Sequence, residues 1–390
     1  MDKILHISPE PPSDYSGGGI VVKQSLLSLN DYFNIDYIGP EIYNNNIMNL
    51  INNKFFLEEN NNKFKRIFDL LIKKETTAFY DSWIKNKDKI KWDNYDYVYL
   101  EFTKFNFVAK EVKKREKKLI VRLHNIEKDY VLNQLKTNFT INKLIKYFYI
   151  INKEKETIKL ADFIIVLTNK DKKRLEKDYG DYIDAEKIGV LPVCIDKSKN
   201  LIRRTGKNNK ITLLITGSLW YGPNFQGIKW FIENVWNEIK KYCNLIIAGS
   251  KPTDYLEKLV SQNIGITLIK NPDSMDEYFN NADLYIAPIF KGAGMKVKIA
   301  EALAHGLPVI GTNHAFIGYD IKNEECGFLA NSSQEFKLQI KKYFDFDEDR
   351  KIKLVNNAIY IYENNYSINK SKEFIRNIFQ KNIIENSMRL

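Results

Sequence analysis

Residues 291–308 read KGAGMKVKIAEALAHGLP and follow an apolar run, DLYIAPIF, at residues 283–290. The run predicts a buried strand, and the stretch after Met295 predicts a helix that Gly306 and Pro308 end. Glycines in the turn between them let a ligand approach the backbone closely. The first N–H groups of a helix have no partner inside it, and together with the helix dipole they favour an anion. The stretch therefore predicts an α/β unit with an anion site at this turn.

Charged side chains occupy three positions on this predicted helix. Lys296 and Lys298 lie at its start, where a cation is unfavourable unless an anion is bound nearby. Glu301 follows about a turn and a half later, and its carboxylate can accept hydrogen bonds from a diol such as a ribose. The alternative interpretation is a glycine-rich turn that leads into an ordinary surface helix.

Strand-like runs alternate with helix-length segments along most of the chain, a pattern typical of βαβ units in parallel sheets. In the first half, strands are predicted at KILHIS, NIDYIG, YDYVYLE, KLIVRLH and DFIIVLT, whereas residues 44–74 are predicted to be helical. A second series begins near residue 186 with IGVLPV, ITLLITG, NLIIAG, ITLIKN, DLYIAP and LPVIGT. The chain after about residue 334 is predicted to be entirely helical.

Two domains accommodate 390 residues better than one core does. We expect an N-terminal Rossmann-like domain over residues 1–185, a C-terminal Rossmann-like domain over 186–365, and a C-terminal helix over 366–390. The N-terminal domain is one candidate surface for that helix to pack on. The polar segment at residues 194–210 is interpreted as the interdomain linker. The predicted fold class is α/β, with two doubly wound domains facing across a cleft and a helical tail.

Charge and cysteine content exclude several classes of protein. The net charge of +11 predicts attraction to phosphates, polyanions or anionic lipids. The lysines are mixed with acids, however, and no nucleic-acid-binding motif occurs, so no nucleic-acid partner is expected. Three cysteines without CxxC spacing argue against a zinc or disulfide scaffold and fit the cytoplasm. No apolar run is long enough to span a membrane. Peripheral contact at the inner face of the membrane stays open.

The segment GAGMKVKIAEALAHGLPVIGT, residues 292–312, resembles the nucleotide-sugar-binding segment of GT-B glycosyltransferases, particularly family 4. Residues 216–231 and 271–288 resemble further segments of that family, so the likeness extends over most of the chain. It implies a retaining transfer from a nucleotide-sugar donor of the UDP, GDP or ADP type. The implied acceptor is a saccharide or lipid-linked saccharide in cell-surface polysaccharide or glycan synthesis. The implied front-face mechanism needs no cofactor, metal ion or carboxylate nucleophile.

The resemblance also implies which residues bind the donor. Glu301 matches the motif glutamate that holds the ribose, the helix start would hold the phosphates, and backbone groups of Lys270 and Asn271 would face the base. The complete predicted donor set of the C-terminal domain is Gly217, Ser218, Asn224, Lys270, Asn271, Gly294, Met295, Lys296, Val297, Lys298 and Glu301.

The chain departs from the family pattern in two places. Ala293 stands where many relatives have the first motif glutamate, so the donor sugar is not predicted. The loop from Ser218 to Asn224 lacks the Arg and Lys that many relatives use for the diphosphate. We expect Lys296 or Lys298 to replace them. A turn capped by Asn224, without contact to a ligand, is the alternative for this loop.

The N-terminal half supplies a glycine loop and a histidine. Residues 8–29 read SPEPPSDYSGGGIVVKQSLLSL and place Gly18 and Gly19 at a predicted helix start, either as a phosphate or substrate loop or as a surface loop. His124 follows a predicted buried strand, at the edge where open α/β sheets bind ligands. The resemblance assigns a histidine at this position to the donor sugar and the reaction centre, so His124 is the predicted catalytic residue.

Several other features keep two interpretations. Arg122 supports His124 or makes a structural ion pair, while His6, His305 and His314 are interpreted as packing or surface residues. The helix predicted at residues 141–158 is either a buried interdomain helix or a membrane-facing one. Residues 345–349, DFDED, are interpreted as an acidic turn, and no metal site is expected. A nucleotide-sugar epimerase or a catalytically silent binding module are the alternatives to a transferase.

Overall fold

The structure is a computed structural model, and the residues it describes are 2–14, 16–75, 77–137, 139–196, 210–292 and 294–387. The chain divides into two compact units. Unit 1 comprises Met1–Cys194 together with Ile368–Leu390, and unit 2 comprises Ile195–Ser367. The unit boundaries therefore follow Cys194 and Ser367, whereas the sequence analysis sets them at residues 185 and 365.

Unit 1 is built on a seven-stranded sheet in which every neighbouring pair of strands is parallel. Its strands are β1 (Asp2–Ile7), β2 (Phe33–Gly39), β3 (Ile51–Phe56), β4 (Tyr97–Glu101), β5 (Lys118–Arg122), β6 (Phe163–Val166) and β7 (Ile188–Val190). Their order across the sheet is β3-β2-β1-β4-β5-β6-β7. The order reverses between β1 and β4, so the loops after these two strands border a topological switch point, where doubly wound sheets bind ligands.

Helices cover both faces of this sheet. They are α1 (Gly17–Leu29), α2 (Asn45–Met48), α3 (Lys63–Leu71), α4 (Tyr80–Asn86), α5 (Asn106–Lys114), α6 (Glu127–Thr137), α7 (Ile141–Leu160) and α8 (Asn169–Tyr179). Successive residues of a strand point to opposite faces, and β1 shows the result. Leu5 and Ile7 join one buried apolar cluster, and Ile4 joins the other.

Two predictions about the strands of unit 1 are wrong. Residues 44–74 contain the edge strand β3 as well as helix, because the backbone of this Asn-rich segment pairs with β2 although half of its side chains are exposed. The run IGVLPV does not begin the second domain. Its strand β7 pairs with β6 in parallel register, with Ile188 opposite Ile164, and this pairing extends the first domain beyond residue 185.

Unit 2 contains a six-stranded sheet, again parallel throughout. Its strands are β8 (Ile211–Ser218), β9 (Cys243–Ser250), β10 (Ile266–Lys270), β11 (Leu284–Ala287), β12 (Val309–Gly311) and β13 (Gly327–Leu329). The order is β10-β9-β8-β11-β12-β13, which places the switch point between β8 and β11. The three-residue β13 was not predicted, because a run of this length carries no recognisable alternation.

The helices of unit 2 surround this sheet. They are α9 (Gly222–Phe231), α10 (Asn237–Ile239), α11 (Asp254–Ser261), α12 (Asp276–Asn281), α13 (Val297–Ala304), α14 (Ser333–Asp345) and α15 (Glu348–Ile361). A π-helical turn (Ile232–Trp236) joins α9 to α10, and a second one (Tyr362–Tyr366) follows α15. The side chains of Phe231, Trp236 and Phe336 are almost completely buried in the core between helices and sheet.

The last helix, α16 (Ile368–Ser387), returns to unit 1. Its Phe379 ring packs edge-on against Phe33, with 4.5 Å between ring centroids. Ser371 Oγ lies 2.6 Å from Ser28 Oγ and accepts a hydrogen bond of 3.0 Å from the Gln24 amide. These contacts join the C-terminal helix to α1 and β2.

The structure also bears on the predicted acidic turn, the predicted linker, and the predictions about metal ions and membrane spans. Residues 345–349 connect α14 to α15, and Asp347 caps α15 by accepting from the Arg350 N–H at 2.8 Å. Residues 197–209 of the predicted linker lie outside the described residues. Within the described ranges, no cluster of three or more His, Cys, Asp and Glu side chains is arranged to hold a metal ion. None of the helices in those ranges combines the length and apolarity needed to cross a membrane.

Candidate functional site

A partly buried lysine joins two chain segments at the switch point of unit 2. Lys298, the second residue of α13, donates a hydrogen bond of 2.7 Å from Nζ to the carbonyl oxygen of Thr216, near the end of β8. The bond ties the start of α13 to the neighbouring strand across the switch point. Burial lowers the pKa of Lys298 to about 8, although Glu301 acts in the opposite direction.

The glycine after Thr216 makes room for this lysine. Gly217 has a φ of +144°, and a Cβ there would lie 1.8 Å from Lys298 Nζ. The same Cβ would lie 3.0 Å from Nδ2 of Asn224, which donates to the Ser218 carbonyl at 3.0 Å. Gly217, Ser218, Asn224 and Lys298, which were predicted from separate segments, are therefore neighbours. Asn224 bridges the turn and does not cap α9, which lacks a side-chain cap.

The turn before α13 differs from its prediction in one detail. The helix begins at Val297, so Lys296 precedes it as the N-cap and does not lie in the first turn. Lys296 Nζ donates to the carbonyl oxygen of Gly294 at 2.6 Å, and Gly294 has a φ of +69°. Met295 is buried. Ala293 lies outside the described residues.

The amide groups at the start of α13 divide into two sets. The Ile299 N–H donates to the Lys296 carbonyl at 2.9 Å, and the Ala300 N–H donates to the Tyr319 hydroxyl at 3.1 Å. These two amides are used within the protein. The N–H groups of Val297 and Lys298 are the first two of the helix, where α-helical geometry provides no partner and the dipole favours an anion.

Histidines that were interpreted as packing residues support this turn and helix. His314 Nε2 lies 2.8 Å from the carbonyl oxygen of Gly292. His305 donates from Nδ1 to the main-chain oxygen of Glu301 at 2.8 Å and stacks on Phe279. Glu301 itself is partly exposed on α13, about one turn beyond Lys298.

Lys270 and Asn271, the residues predicted to bind the base, lie at the carboxyl end of β10, the outermost strand of the same sheet. The Asn271 N–H donates to the Gly249 carbonyl at 2.8 Å, and Asn271 Oδ1 accepts from the Lys251 N–H at 2.9 Å. Lys270 Nζ pairs with Glu257 at 2.5 Å. The Asn271 N–H is therefore unavailable to a base, and any backbone contact falls to other groups of Lys270 and Asn271.

In unit 1, a buried carboxylate connects two histidines at the β1/β4 switch point. Glu101 at the end of β4 is completely buried. Its Oε2 lies 2.7 Å from His124 Nε2, and its Oε1 lies 3.2 Å from His6 Nε2. Burial alone would raise the pKa of Glu101, but the hydrogen bonds from both rings outweigh it and hold the pKa well below its usual range.

This arrangement determines which nitrogen of His124 carries the proton. Burial lowers the pKa of His124, so the ring is neutral near pH 7. Because Nε2 donates to the ionised Glu101, Nδ1 is the hydrogen-bond acceptor. That Nδ1 is buried and has no hydrogen-bond partner within the described part of the chain. The ring of Phe102, whose φ is 65°, lies 3.8 Å from the His124 ring between centroids.

The sequence analysis did not assign His6 or Glu101 to this site, although the position of each residue in its strand offers a signal. His6 interrupts a buried strand, and Glu101 ends one at the edge where ligands bind. His6 stacks between the rings of Tyr37 and Tyr99. Such polar residues in apolar strands require a buried partner.

Arg122 has a structural position, and among the described residues it makes no ion pair of the kind considered from the sequence. Its guanidinium donates to Ser25 Oγ at 2.8 Å and to Gln24 Oε1 at 2.9 Å. These neutral partners lie on α1, so Arg122 fixes α1 to the sheet.

The glycine loop of unit 1 is occupied by its own side chains. Ser16 caps α1 by accepting from the Gly19 N–H at 3.0 Å, so this amide is not available to a phosphate. A Cβ on Gly18 would lie 1.9 Å from a carboxylate oxygen of Glu10. Glu10 is therefore a negative group at the start of α1 and the Gly19 amide is occupied, while a substrate-binding role for Gly18 stays a prediction.

We predict that Gly217→Ala destabilises unit 2, because the added methyl group meets Lys298 Nζ and the residue must keep a left-handed φ. The expected loss is about 2 kcal/mol of unfolding free energy, measured by denaturant unfolding. Gly222→Ala is the matched control, since a Cβ there meets nothing within 4 Å. Equal stability of the two variants would contradict the close contact of Gly217 with Lys298.

Comparisons with known proteins agree with this architecture. Residues 210–345 match the family described as "Glycosyl transferases group 1". An uncharacterized 44.6 kDa protein in the cps region of Klebsiella pneumoniae is 25% identical over 302 residues, covering 74% of each chain. Sucrose-phosphate synthase from Thermosynechococcus elongatus superposes with a TM-score of 0.73 at 14% identity, over 99% of this chain and 100% of that one.

The structure of Anabaena HepE in complex with UDP and glucose superposes with a TM-score of 0.68 at 14% identity, over 96% of this chain and 99% of that chain. These structural likenesses show the fold, which is GT-B, and the family match over unit 2 adds the class of activity. The chain therefore has the GT-B fold, and its residues 210–345 match a family of glycosyltransferases.

Proposed function

We propose that the protein transfers a sugar, with retention of its anomeric configuration, from a nucleoside-diphosphate sugar to a saccharide or lipid-linked saccharide. Use of a nucleotide-sugar donor is general to the family. The observation that carries the proposal for this chain is the position of the Lys298 ammonium group, which α13 holds against Thr216 and Gly217 at the end of β8.

This position suits a diphosphate. Lys298 is held at 2.7 Å from the Thr216 carbonyl and keeps two further N–H groups for a ligand. Because burial lowers the pKa of Lys298, a bound anion would restore the usual preference for the charged form. The Val297 and Lys298 amides add donors that are fixed before the ligand arrives. We assign the phosphates to this position and the ribose hydroxyls to Glu301.

His124 is the residue that we assign to the donor sugar. Its Nδ1 is a buried acceptor, and the Glu101 bond fixes the ring in the required tautomer. A sugar hydroxyl that displaces the groups covering this nitrogen can donate to it. Glu101 is then a positioning residue, since it acts through the His124 ring.

In the proposed reaction, the acceptor oxygen attacks the anomeric carbon from the face that the diphosphate leaves. The departing phosphate takes the acceptor proton, so no carboxylate nucleophile takes part. Negative charge grows on the diphosphate as the glycosidic bond breaks, and the ammonium and amide groups of unit 2 stabilise it. We place the reaction in the cytoplasm, at the inner face of the membrane, in cell-surface polysaccharide synthesis. The occurrence of the Klebsiella pneumoniae relative in a cps region supports this setting.

We predict that one class among UDP-, GDP- and ADP-sugars raises the thermal unfolding temperature, because a ligand that binds only the folded state stabilises it by mass action. Glu301→Gln loses a charge-assisted bond to the ribose and should raise the Kd of that donor about tenfold or more. Isothermal titration calorimetry measures this change.

The matched control for Glu301→Gln is Glu233→Gln. Glu233 is an exposed glutamate of the π-helical turn after α9, so this change should leave the Kd unchanged. Transfer is then tested with labelled donor and a panel of saccharides. If no donor stabilises the protein, or if Glu301→Gln binds as tightly as the unmodified chain, the assigned donor site is wrong. Donor turnover without any acceptor product would favour an epimerase.

We predict that Glu101→Gln lowers kcat at least about tenfold, because an amide no longer fixes the Nε2–H tautomer of His124. The Kd for the nucleotide should stay the same, since unit 2 supplies the nucleotide contacts. Glu154→Gln is the control: this second buried glutamate of unit 1 has its pKa raised by burial to about 7, so losing its charge costs little. A fall in stability with unchanged kcat would give Glu101 a purely structural role.

A further inference from the structure

Helix α3 presents its apolar side outward. Phe64, Ile67, Phe68, Leu71 and Ile72 follow the spacing of a single helical face. Phe64 is 87% exposed, Phe68 is 53% exposed and Ile72 is 65% exposed. A surface helix of a globular protein normally turns such a stripe toward the core. Here the stripe forms a patch that unit 1 leaves uncovered.

Ion pairs hold the opposite, polar side of α3 against unit 1. Asp69 is buried, and its carboxylate lies 2.8 Å from Lys73 Nζ. Lys65 and Lys73 lie 2.6 and 3.3 Å from the carboxylate of Asp81 on α4. The orientation of the helix therefore results from specific contacts, and burying the apolar stripe instead would break these contacts.

The start of α7 extends the same surface. Phe139 and Ile141 are 65% and 70% exposed. A cavity of about 200 Å³ lies between the two helices, and α3 and α7 supply most of its lining: Arg66, Ile67, Asp69, Leu70, Asn142, Lys143 and Lys146. We call the exposed apolar residues of α3 and of residues 139–141, together with this basic cavity, the α3–α7 face. One side of the second half of α7 is buried within unit 1, with Glu154 and Ile158 completely covered.

Positive charge surrounds the apolar patch. Residues 63–74 contain five basic side chains and one acidic one, and two of the five, Lys65 and Lys73, are paired with Asp81 and Asp69. Burial, together with the nearby cations Arg66 and Lys104, lowers the pKa of Lys146 at the cavity. Glu75, the other acid of the cavity lining, is paired with Lys153 at 2.5 Å. Holding several cations close together at a cavity is unfavourable unless an anion binds beside them.

An anionic bilayer matches both properties of the face. Aromatic and aliphatic side chains enter the boundary between headgroups and acyl chains, and flanking lysines and arginines bind the lipid phosphates. A second copy of this chain fits less well, because pairing the same face would bring the same positive charges together.

We propose that the α3–α7 face docks unit 1 on an anionic phospholipid bilayer. The inference rests on the proposed function in one respect only, since a lipid-linked acceptor would lie in that bilayer. The apolar stripe and its basic margin are independent of the donor site of unit 2.

Flotation with phosphatidylcholine vesicles, with and without phosphatidylglycerol, tests the proposal on the full chain. The unmodified protein should float with the anionic vesicles only, and added salt should weaken this binding. The double variant Phe64→Asp, Phe68→Asp should lose at least about tenfold in vesicle affinity, because two charged groups must then enter the boundary region. Leu338→Asp is the matched control on unit 2, where this apolar side chain is 62% exposed, and it should still float.

Nucleotide affinity and thermal stability, measured on the same variants, separate the two proposals. Lost flotation with an unchanged nucleotide Kd supports the α3–α7 face as a lipid-docking surface. Absence of flotation for the unmodified protein, or equal flotation of both aspartate variants, overturns the docking proposal and leaves the donor site untouched. A third outcome would also overturn the docking proposal: the unmodified protein forms dimers, the Phe64→Asp, Phe68→Asp change dissociates them, and no vesicle binding occurs. The occupant of the face would then be a second copy of the chain.

Discussion

The bond from the Lys298 ammonium group to the Thr216 carbonyl is the contact on which the proposed donor site depends. It joins the end of β8 to the start of α13 across the switch point of the sheet, and it requires a glycine at position 217. The ammonium group is held at the end of β8 before any ligand binds. Preorganisation of this kind avoids a cost of rearrangement when charge develops on a leaving group.

Unit 1 uses the equivalent edge of its sheet differently. At the β1/β4 switch point, Glu101 supplies a buried negative charge that two imidazole rings satisfy. In its glycine loop, the Glu10 carboxylate lies beside Gly18, so the chain itself supplies a negative charge at the start of α1. The same topology therefore yields a positively charged site in unit 2 and a histidine-centred site in unit 1. The difference lies in the side chains that end the strands and not in the sheets.

The sequence predicts the central strands and the helix α13 because these carry continuous apolar runs between glycines and prolines. It fails for β3, whose interior residues are polar and exposed, and for β7, because an apolar run does not reveal which sheet it joins. The close contact of His6 with Glu101 and the bond from Lys298 to Thr216 join residues 95 and 82 positions apart. No local pattern encodes such pairs. The family resemblance identified His124, but the carboxylate that orients its ring required the structure.

Proton uptake on nucleotide binding tests the central claim most directly. Burial lowers the pKa of Lys298 to about 8, and a diphosphate beside the ammonium group would raise it again. Titration calorimetry at pH 8, in buffers of different ionisation enthalpy, should therefore show an uptake of about half a proton per bound nucleoside diphosphate. Lys298→Met should abolish this uptake. Binding without proton uptake at this pH, or the same uptake in the Lys298→Met variant, would show that the diphosphate lies elsewhere.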